Sequence, residues 1–341
     1  MVFEGVRSSI SYSLEPGIGT GVCAIGVFDG VHRGHRHLIS QMVEAAHALD
    51  LPSVIVTFDI DPEELFLTGG MHDKLLSNDE RVELLASLGA THVQVITFDE
   101  RLSSLAPDAF CDEVLARFMK PVQVHVGEDF RFGAGAAGTA GDLKAWGARH
   151  RCTCVTHPLY RLRDGSVTAT RIRGLLASGK VIEAGVLLGR DHRLRGRVVH
   201  GLERGRELGF PTANVEVPGC CQAVCEGVYA GYVGFGEQRV PAAISVGASP
   251  TFPDAPGRLE CHLIGFEGDL YGQEVTVTFV VRLRPMTAFA TVDELVASIG
   301  ADISWVRDHL GGNATMPPSP VGTMAACEPE RKGGSYGPHH A

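Results

Sequence analysis

Two stretches of this 341-residue chain set chemically capable side chains at short, regular spacing. The first is Gly26-Val-Phe-Asp-Gly-Val-His-Arg-Gly-His35. His32 and His35 lie three residues apart, so on a helix they share one face. Two imidazole donors converging on one point suit the charge that develops on a phosphoryl group in transfer. Gly30 and Gly34 permit close backbone approach to a phosphate, and the free N–H groups of a helix start favour an anion there. The plain alternative is a glycine-rich turn carrying two solvent-exposed histidines. The second stretch is Gly205-Arg-Glu-Leu-Gly-Phe-Pro-Thr-Ala-Asn214. Thr212 and Asn214 occupy alternate positions of an extended segment and offer hard oxygen atoms of the kind that suits Mg²⁺. Gly201, Gly205 and Gly209 around Arg204 and Arg206 fit a positive phosphate loop. Its plain alternative is a hairpin with solvated arginines.

Two further segments carry weaker signals. In the glycine-rich stretch from Gly127 to Gly141, Asp129 is a polar anchor and Phe130 and Phe132 are apolar cover for a flavin or nucleotide; the alternative has both phenylalanines in the core. Arg171 and Arg173 stand near a helix start, where cations oppose the helix dipole, which favours a role on ATP phosphates.

These groups need elements to hold them. Val22–Gly26, Ser53–Phe58, His92–Phe98 and Gln123–Gly127 are short apolar runs separated by stretches long enough for crossover helices. That pattern predicts a parallel sheet covered on both faces. Ser77 with Glu80 forms a capping pair for the second helix, which Gly89 ends, and Pro107 suits the first turn of a third. After Gly189 the runs alternate within themselves. Val275, Val277, Phe279, Val281 and Leu283 share one face of a half-buried antiparallel strand. With Gly227–Val233 and Leu259–Gly265, this predicts a closed or nearly closed barrel followed by a helix over Val292–His309. The resulting division is an α/β domain over 15–187, a barrel domain over 188–310 and a disordered tail over 311–341, rich in Gly, Pro and Ser.

Composition bounds the partners. Thirty Lys+Arg against 40 Asp+Glu give a net charge of −10, which argues against nucleic-acid and anionic-membrane partners. Met1 to Ser13 lacks a cationic start and an apolar core, and no apolar run is long enough to span a bilayer, so a cytoplasmic location is expected. Nine cysteines fit reduced thiols better than a disulfide framework, and paired knuckles at structural-zinc spacing are missing. Nothing in the sequence specifies an oligomeric state.

Gly26–His35 resembles the H-x-G-H signature of the nucleotidylyltransferases, and in extended form that of the prokaryotic bifunctional riboflavin kinase/FAD synthetases. The resemblance continues through Val126–Gly133, Thr170-Arg-Ile-Arg173, Gly205–Asn214, Pro250-Thr-Phe252 and Gly268–Gly272, so it spans about Gly21 to Leu310. It implies a Rossmann-like FMN adenylyltransferase domain that makes FAD and pyrophosphate from FMN and ATP, and a barrel domain that makes FMN from riboflavin and ATP. It places Gly26, Phe28, Gly30, Gly34, Arg171 and Arg173 with His32 and His35 on ATP, and Asp129, Phe130 and Phe132 by the flavin. It puts Gly205, Arg206, Thr212 and Asn214 at the Mg-ATP site and makes Glu260 the base for the ribityl hydroxyl. Two positions depart from the pattern. Asp61 stands before Pro62 where the family has histidine, which brings a carboxylate toward polyphosphate, and Ala169 lacks a hydroxyl found in the family. They leave open a monofunctional kinase with a degenerate first domain, and, in another class, a non-catalytic flavin-binding regulator.

Overall fold

The computed structural model describes residues 8–12, 18–60, 74–201, 205, 208–217, 219, 221, 224–247 and 258–311. Asp61, Arg204, Arg206, Pro250–Phe252 and the tail therefore lie outside the described residues.

The first half is one parallel sheet. Its strands are β1 (Ser9–Ser11), β2 (Gly19–Ile25), β3 (Ser53–Phe58), β4 (His92–Ile96), β5 (Met119–Gly127) and, after the short pair β6 (Arg131–Phe132) and β7 (Gly138–Thr139), β8 (Thr153–His157). They pair in the order β1-β4-β3-β2-β5-β8. The continuous apolar run of β3 follows from burial on both faces. Val54, Val56 and Phe58 join one core with Trp146 and Phe110, while Ile55 joins the other with Ile39 and Met42. On α1 (Arg33–Ala48) the buried positions Leu38, Ile39, Met42, Val43 and Ala46 form the helical stripe that covers the sheet. The helix α2 (Asn78–Ala86) starts on the Ser77 cap, whose hydroxyl accepts from the Glu80 N–H at 3.3 Å. It ends at Ser87, two residues before Gly89 with its φ of +82°. Pro107 opens the short helix α4 (Pro107–Cys111), which follows α3 (Glu100–Ser103). On the same face as α4 lies α5 (Ala140–His150).

The small pair β9 (Arg161–Leu162) and β10 (Gly165–Ser166) precedes α6 (Ala169–Ala177) and α7 (Val181–Leu188). The second half is a closed antiparallel barrel of β11 (His192–Val199), β12 (Ala213–Glu216), β13 (Gly227–Phe235), β14 (Gln238–Gly247), β15 (Arg258–Leu263) and β16 (Glu274–Arg284), in the order β11-β12-β15-β14-β13-β16. Alternation in β16 buries Val275, Val277 and Phe279, then fades at Val281 and Leu283, where the pairing with β13 shifts register twice. The closing helix α8 (Val292–Leu310) begins on a Thr291 cap and is tied to β16 by the Arg284–Asp302 pair at 2.8 Å. Packing crosses the division at Leu187: Ile172, Leu176, Val181, Ala184 and Leu187 share one apolar core with the barrel interior.

Candidate active sites

In the parallel sheet the chain runs from β2 to β3 and β4 on one side and then returns to β5 on the other. The order therefore reverses between β2 and β5, and ligands of open α/β sheets sit beyond the carboxyl ends of the strands at such a point. A cavity of about 410 Å³ lies there, bounded by Ile25 to Asp29 after β2, Gly127 to Phe130 after β5, His157 to Tyr160 after β8, and the start of α6. His32 and His35 stack inside it with ring centroids 3.6 Å apart. They are not the solvent-exposed pair of the plain alternative: His32 is buried and His35 half-buried.

Local structure explains the aim of these rings. His32 is the N-cap of α1, its Nδ1 accepting the His35 backbone N–H at 3.3 Å, so the neutral ring carries its proton on Nε2. Phe28 packs edge-on to His35 at 5.3 Å. Burial, aided by the charge of Arg190, pushes the His32 pKa down to about 4. Burial, with His32 and Arg81 nearby, holds His35 well below the usual imidazole range. Both rings are thus neutral hydrogen-bonding groups at neutral pH.

Gly34 and Gly26 line this cavity, the former with room for no Cβ beside the His32 ring at 3.1 Å. Gly30 takes φ +71° and is packed against Leu75, whose Cδ1 would stand 2.6 Å from a Cβ, so the left-handed turn and this close packing both require glycine. Arg173 reaches the cavity and pairs with the buried Asp29 at 2.7 Å. Arg171 is not among the residues that line the cavity and pairs instead with Asp164 and the Ser166 carbonyl. Asp129 and Phe130 line the cavity, but Phe132 is buried in the core between Phe110 and Phe130 and does not reach it. The β6–β7 hairpin turns that side chain inward. Ala169 lines the cavity at the first position of α6, between Thr168, whose hydroxyl caps the helix, and Thr170.

Sequence reasoning missed Asp29, Thr168 and His157. Asp29 lay inside the first motif, and its role needed knowledge that Leu75 comes close enough to donate its N–H at 3.0 Å. His157 closes β8, and a strand end at the carboxyl edge of a parallel sheet was the available signal. It faces His125, with Nε2 and Nδ1 2.9 Å apart, and burial pushes His125 down to about 4.

The second constellation assembles on the outer face of the barrel. Asn214 on β12 pairs across the ladder with Glu260 on β15, which in turn pairs with Ser245 on β14. Directly opposite residues point to the same side, and Leu259 and Cys261 fill the interior, so Asn214 and Glu260 share the opposite face. Thr212, two residues before Asn214, belongs to that face and is half-buried. A Cβ at Gly201 would overlap the Asn214 side chain, so the glycine makes the seat for it. The Gly205 carbonyl accepts the Phe210 N–H at 2.7 Å and closes the loop before the strand. Asn214 is buried, and among the described residues its Oδ1 has no hydrogen-bond partner. A shielded acceptor without a donor fits a cation, and two neutral oxygen ligands suit Mg²⁺, which keeps water and substrate phosphate for the rest of its shell.

Fold and cavity together define the class: a nucleotidylyltransferase-type α/β unit followed by a riboflavin-kinase-type barrel. Residues 18–171 match the family described as FAD synthetase, and residues 188–310 match the family described as riboflavin kinase. Over 291 residues the chain is 35% identical to the bifunctional riboflavin kinase/FMN adenylyltransferase of Escherichia coli K12, covering 85% of this chain and 93% of that one. The Pseudomonas fluorescens protein of the same description is 34% identical over 287 residues, with 84% and 92% covered. The chain belongs to the bifunctional riboflavin kinase/FMN adenylyltransferase family. A crystal structure from Streptococcus pneumoniae described as a macrolide-efflux protein shares the fold at a TM-score of 0.78 and 31% identity, over 89% of this chain and 99% of that one. Among the described residues of the present chain no helix is long and apolar enough to cross a membrane.

Proposed function

We propose that the barrel transfers the γ-phosphoryl group of ATP to riboflavin, giving FMN and ADP, and that the α/β unit joins AMP from ATP to FMN, giving FAD and pyrophosphate. The observation that carries this reading is the pairing of two independent sites with the two family matches: the stacked neutral histidines at the sheet's reversal point, and the Asn214–Glu260 row on the barrel.

In the α/β unit a phosphate oxygen of FMN attacks the α-phosphorus of ATP, the bond to the β,γ-phosphates breaks, and pyrophosphate leaves. His32, through Nε2–H, and His35 supply hydrogen bonds to the charge that spreads over the phosphate oxygens. Arg173, held by Asp29, brings a cation to the same cavity. Gly26, Gly34 and the start of α1 shape the phosphate side, and Asp129 and Phe130 the flavin side.

In the barrel Glu260 takes the proton of the ribityl 5′-hydroxyl as that oxygen bonds to the γ-phosphorus and ADP leaves. Thr212 and Asn214 would hold Mg²⁺, which when bound neutralises phosphate charge. Strand pairing fixes Glu260 beside Asn214, so base and cation site keep a constant separation. Riboflavin, FMN and ATP are the proposed partners, with neither nucleic acid nor membrane, and the use of ATP in both steps fits a cytoplasmic location.

Incubating the purified protein with riboflavin, ATP and Mg²⁺ and separating flavins over time tests this directly. FMN is expected first and FAD after it. FMN alone, even when FMN is supplied as substrate, would leave only the kinase, and no product would leave a flavin-binding protein.

A further inference from the structure

The turn that presents His32 is held in a costly backbone shape. Phe28 and Val31 take φ of 56° and 41°, and Gly30 between them 71°. Left-handed conformations are unfavourable for residues with side chains, most for a β-branched one such as Val31, and persist only where the surroundings over-determine them.

Three groups hold the turn. Arg81 of α2 donates to the Val27 carbonyl at 3.0 Å, and Asp29 accepts the Leu75 N–H. The third comes from the other side of the α6–α7 helices. Arg190 follows Gly189, the C-cap of α7, and precedes β11 by two residues. Its Nη2 donates to the Gly30 carbonyl at 2.7 Å and its Nη1 to the Val31 carbonyl at 3.3 Å. These are the last two residues before the His32 cap.

The setting of Arg190 is unfavourable to a residue serving stability alone. Its Nε is shielded and has no hydrogen-bond partner among the described residues. Arg36 and Arg193 repel it, Glu80 and Asp29 offset them in part, and burial, the largest influence, pushes its pKa down to about 9. A half-buried cation on carbonyls rather than on a carboxylate gives up hydration that its own bonds only partly return.

We propose that Arg190 is a positioning residue for adenylyl transfer, a clamp by which the chain entering the barrel fixes the left-handed turn and so the direction of the His32 ring. The inference rests on reading the α/β cavity as the adenylyltransferase site. β11 begins just after Arg190, and its Arg195 separately pairs with Glu83 of α2 at 2.8 Å, a docking contact outside the clamp.

The test uses the full chain with Arg190→Met, Arg190→Lys and, as a docking control, Glu83→Ala. Because a misplacement of about 1 Å can cost a hundredfold, Arg190→Met is expected to lower kcat for FAD formation from FMN by about tenfold or more, with KM for FMN within about threefold. FMN formation from riboflavin should stay within about twofold, Arg190→Lys should recover about threefold of the loss, and Glu83→Ala should change neither rate beyond about twofold. A second readout needs no turnover: ¹H–¹⁵N correlation of the His32 ring should show a single Nε2–H tautomer in the parent and averaged tautomers in Arg190→Met. An FAD rate in Arg190→Met within about twofold of the parent, an equal loss of both activities, or an unaltered His32 tautomer overturns the clamp. If Arg190→Met fails to fold, Arg190→Lys decides, and an undiminished FAD rate in it overturns the clamp. A parent that makes no FAD at all instead overturns the reading of the cavity, which the tautomer measurement then separates from the clamp.

Discussion

His32 uses its two ring nitrogens for different ends. Nδ1 caps α1, and that bond leaves the proton on Nε2, where it faces the cavity. The same local chemistry gives Ala169 its interest. It stands at the cavity between two threonines, at a helix start where a hydroxyl would face anionic phosphate. A typical hydrogen bond contributes about 0.5–1.5 kcal/mol net, so Ala169→Ser is expected to raise kcat/KM for ATP in FAD formation by about two- to tenfold. Steady-state rates at limiting ATP check this, and an unchanged or lower value contradicts it. Whether Asp61 opposes that gain belongs to the same experiment, run on Asp61→His, whose expected effect is also a rise.

At the scale of elements, Asp29 is the knot of the α/β site. It joins the turn after β2 to the segment before α2 through the Leu75 N–H and to α6 through Arg173. Asp29→Asn keeps the size but removes the carboxylate charge that Arg173 pairs with. It is expected to cost about 1–3 kcal/mol in urea unfolding and to slow FAD formation about tenfold, with FMN formation within about twofold. Parallel loss of both activities would contradict that placement. Elements themselves were legible where burial wrote a strong pattern. β3 is legible at its full span of Ser53–Phe58, since burial on both faces writes the unbroken run Val54–Val56 between two small hydroxyl residues and Phe58. β8 was not read, because its five residues are half-buried or exposed and mix Thr, Cys and His. β1 has three residues and exists only through pairing with β4. That Phe132 and Arg171 lie outside the cavity lining was not legible for a related reason: a two-residue hairpin and a nearby Asp164 decide their directions, and neither has a periodic signature. The row of Asn214 and Glu260 was legible as residues but not as neighbours, since 46 positions separate them and only barrel closure pairs them.

Across the whole molecule, one core runs from α6 and α7 into the barrel, so the two catalytic units are continuous in packing although separate in site. Buried neutral histidines should then govern acid stability. His32 and His125 are both pushed to about 4 from 6.5 by burial. As pH falls below 6.5, the unfolded chain takes up these protons and the native state does not until about 4, so stability is lost across that window. Thermal unfolding followed across it is expected to show a falling midpoint that His125→Gln makes shallower; a flat profile would contradict the buried neutral rings. The acidic surplus of −10 describes the whole chain and not the α/β cavity, where Arg173 and the starts of α1 and α6 lie. The central claim is that one chain holds two independent phosphoryl-transfer sites, and the most direct test is Glu260→Gln in the full-length protein. FMN formation from riboflavin should fall by about a hundredfold or more, the range general-base removal gives, while FAD formation from added FMN stays within about twofold. A parallel fall in both activities, or a kinase rate that survives the substitution, would contradict it.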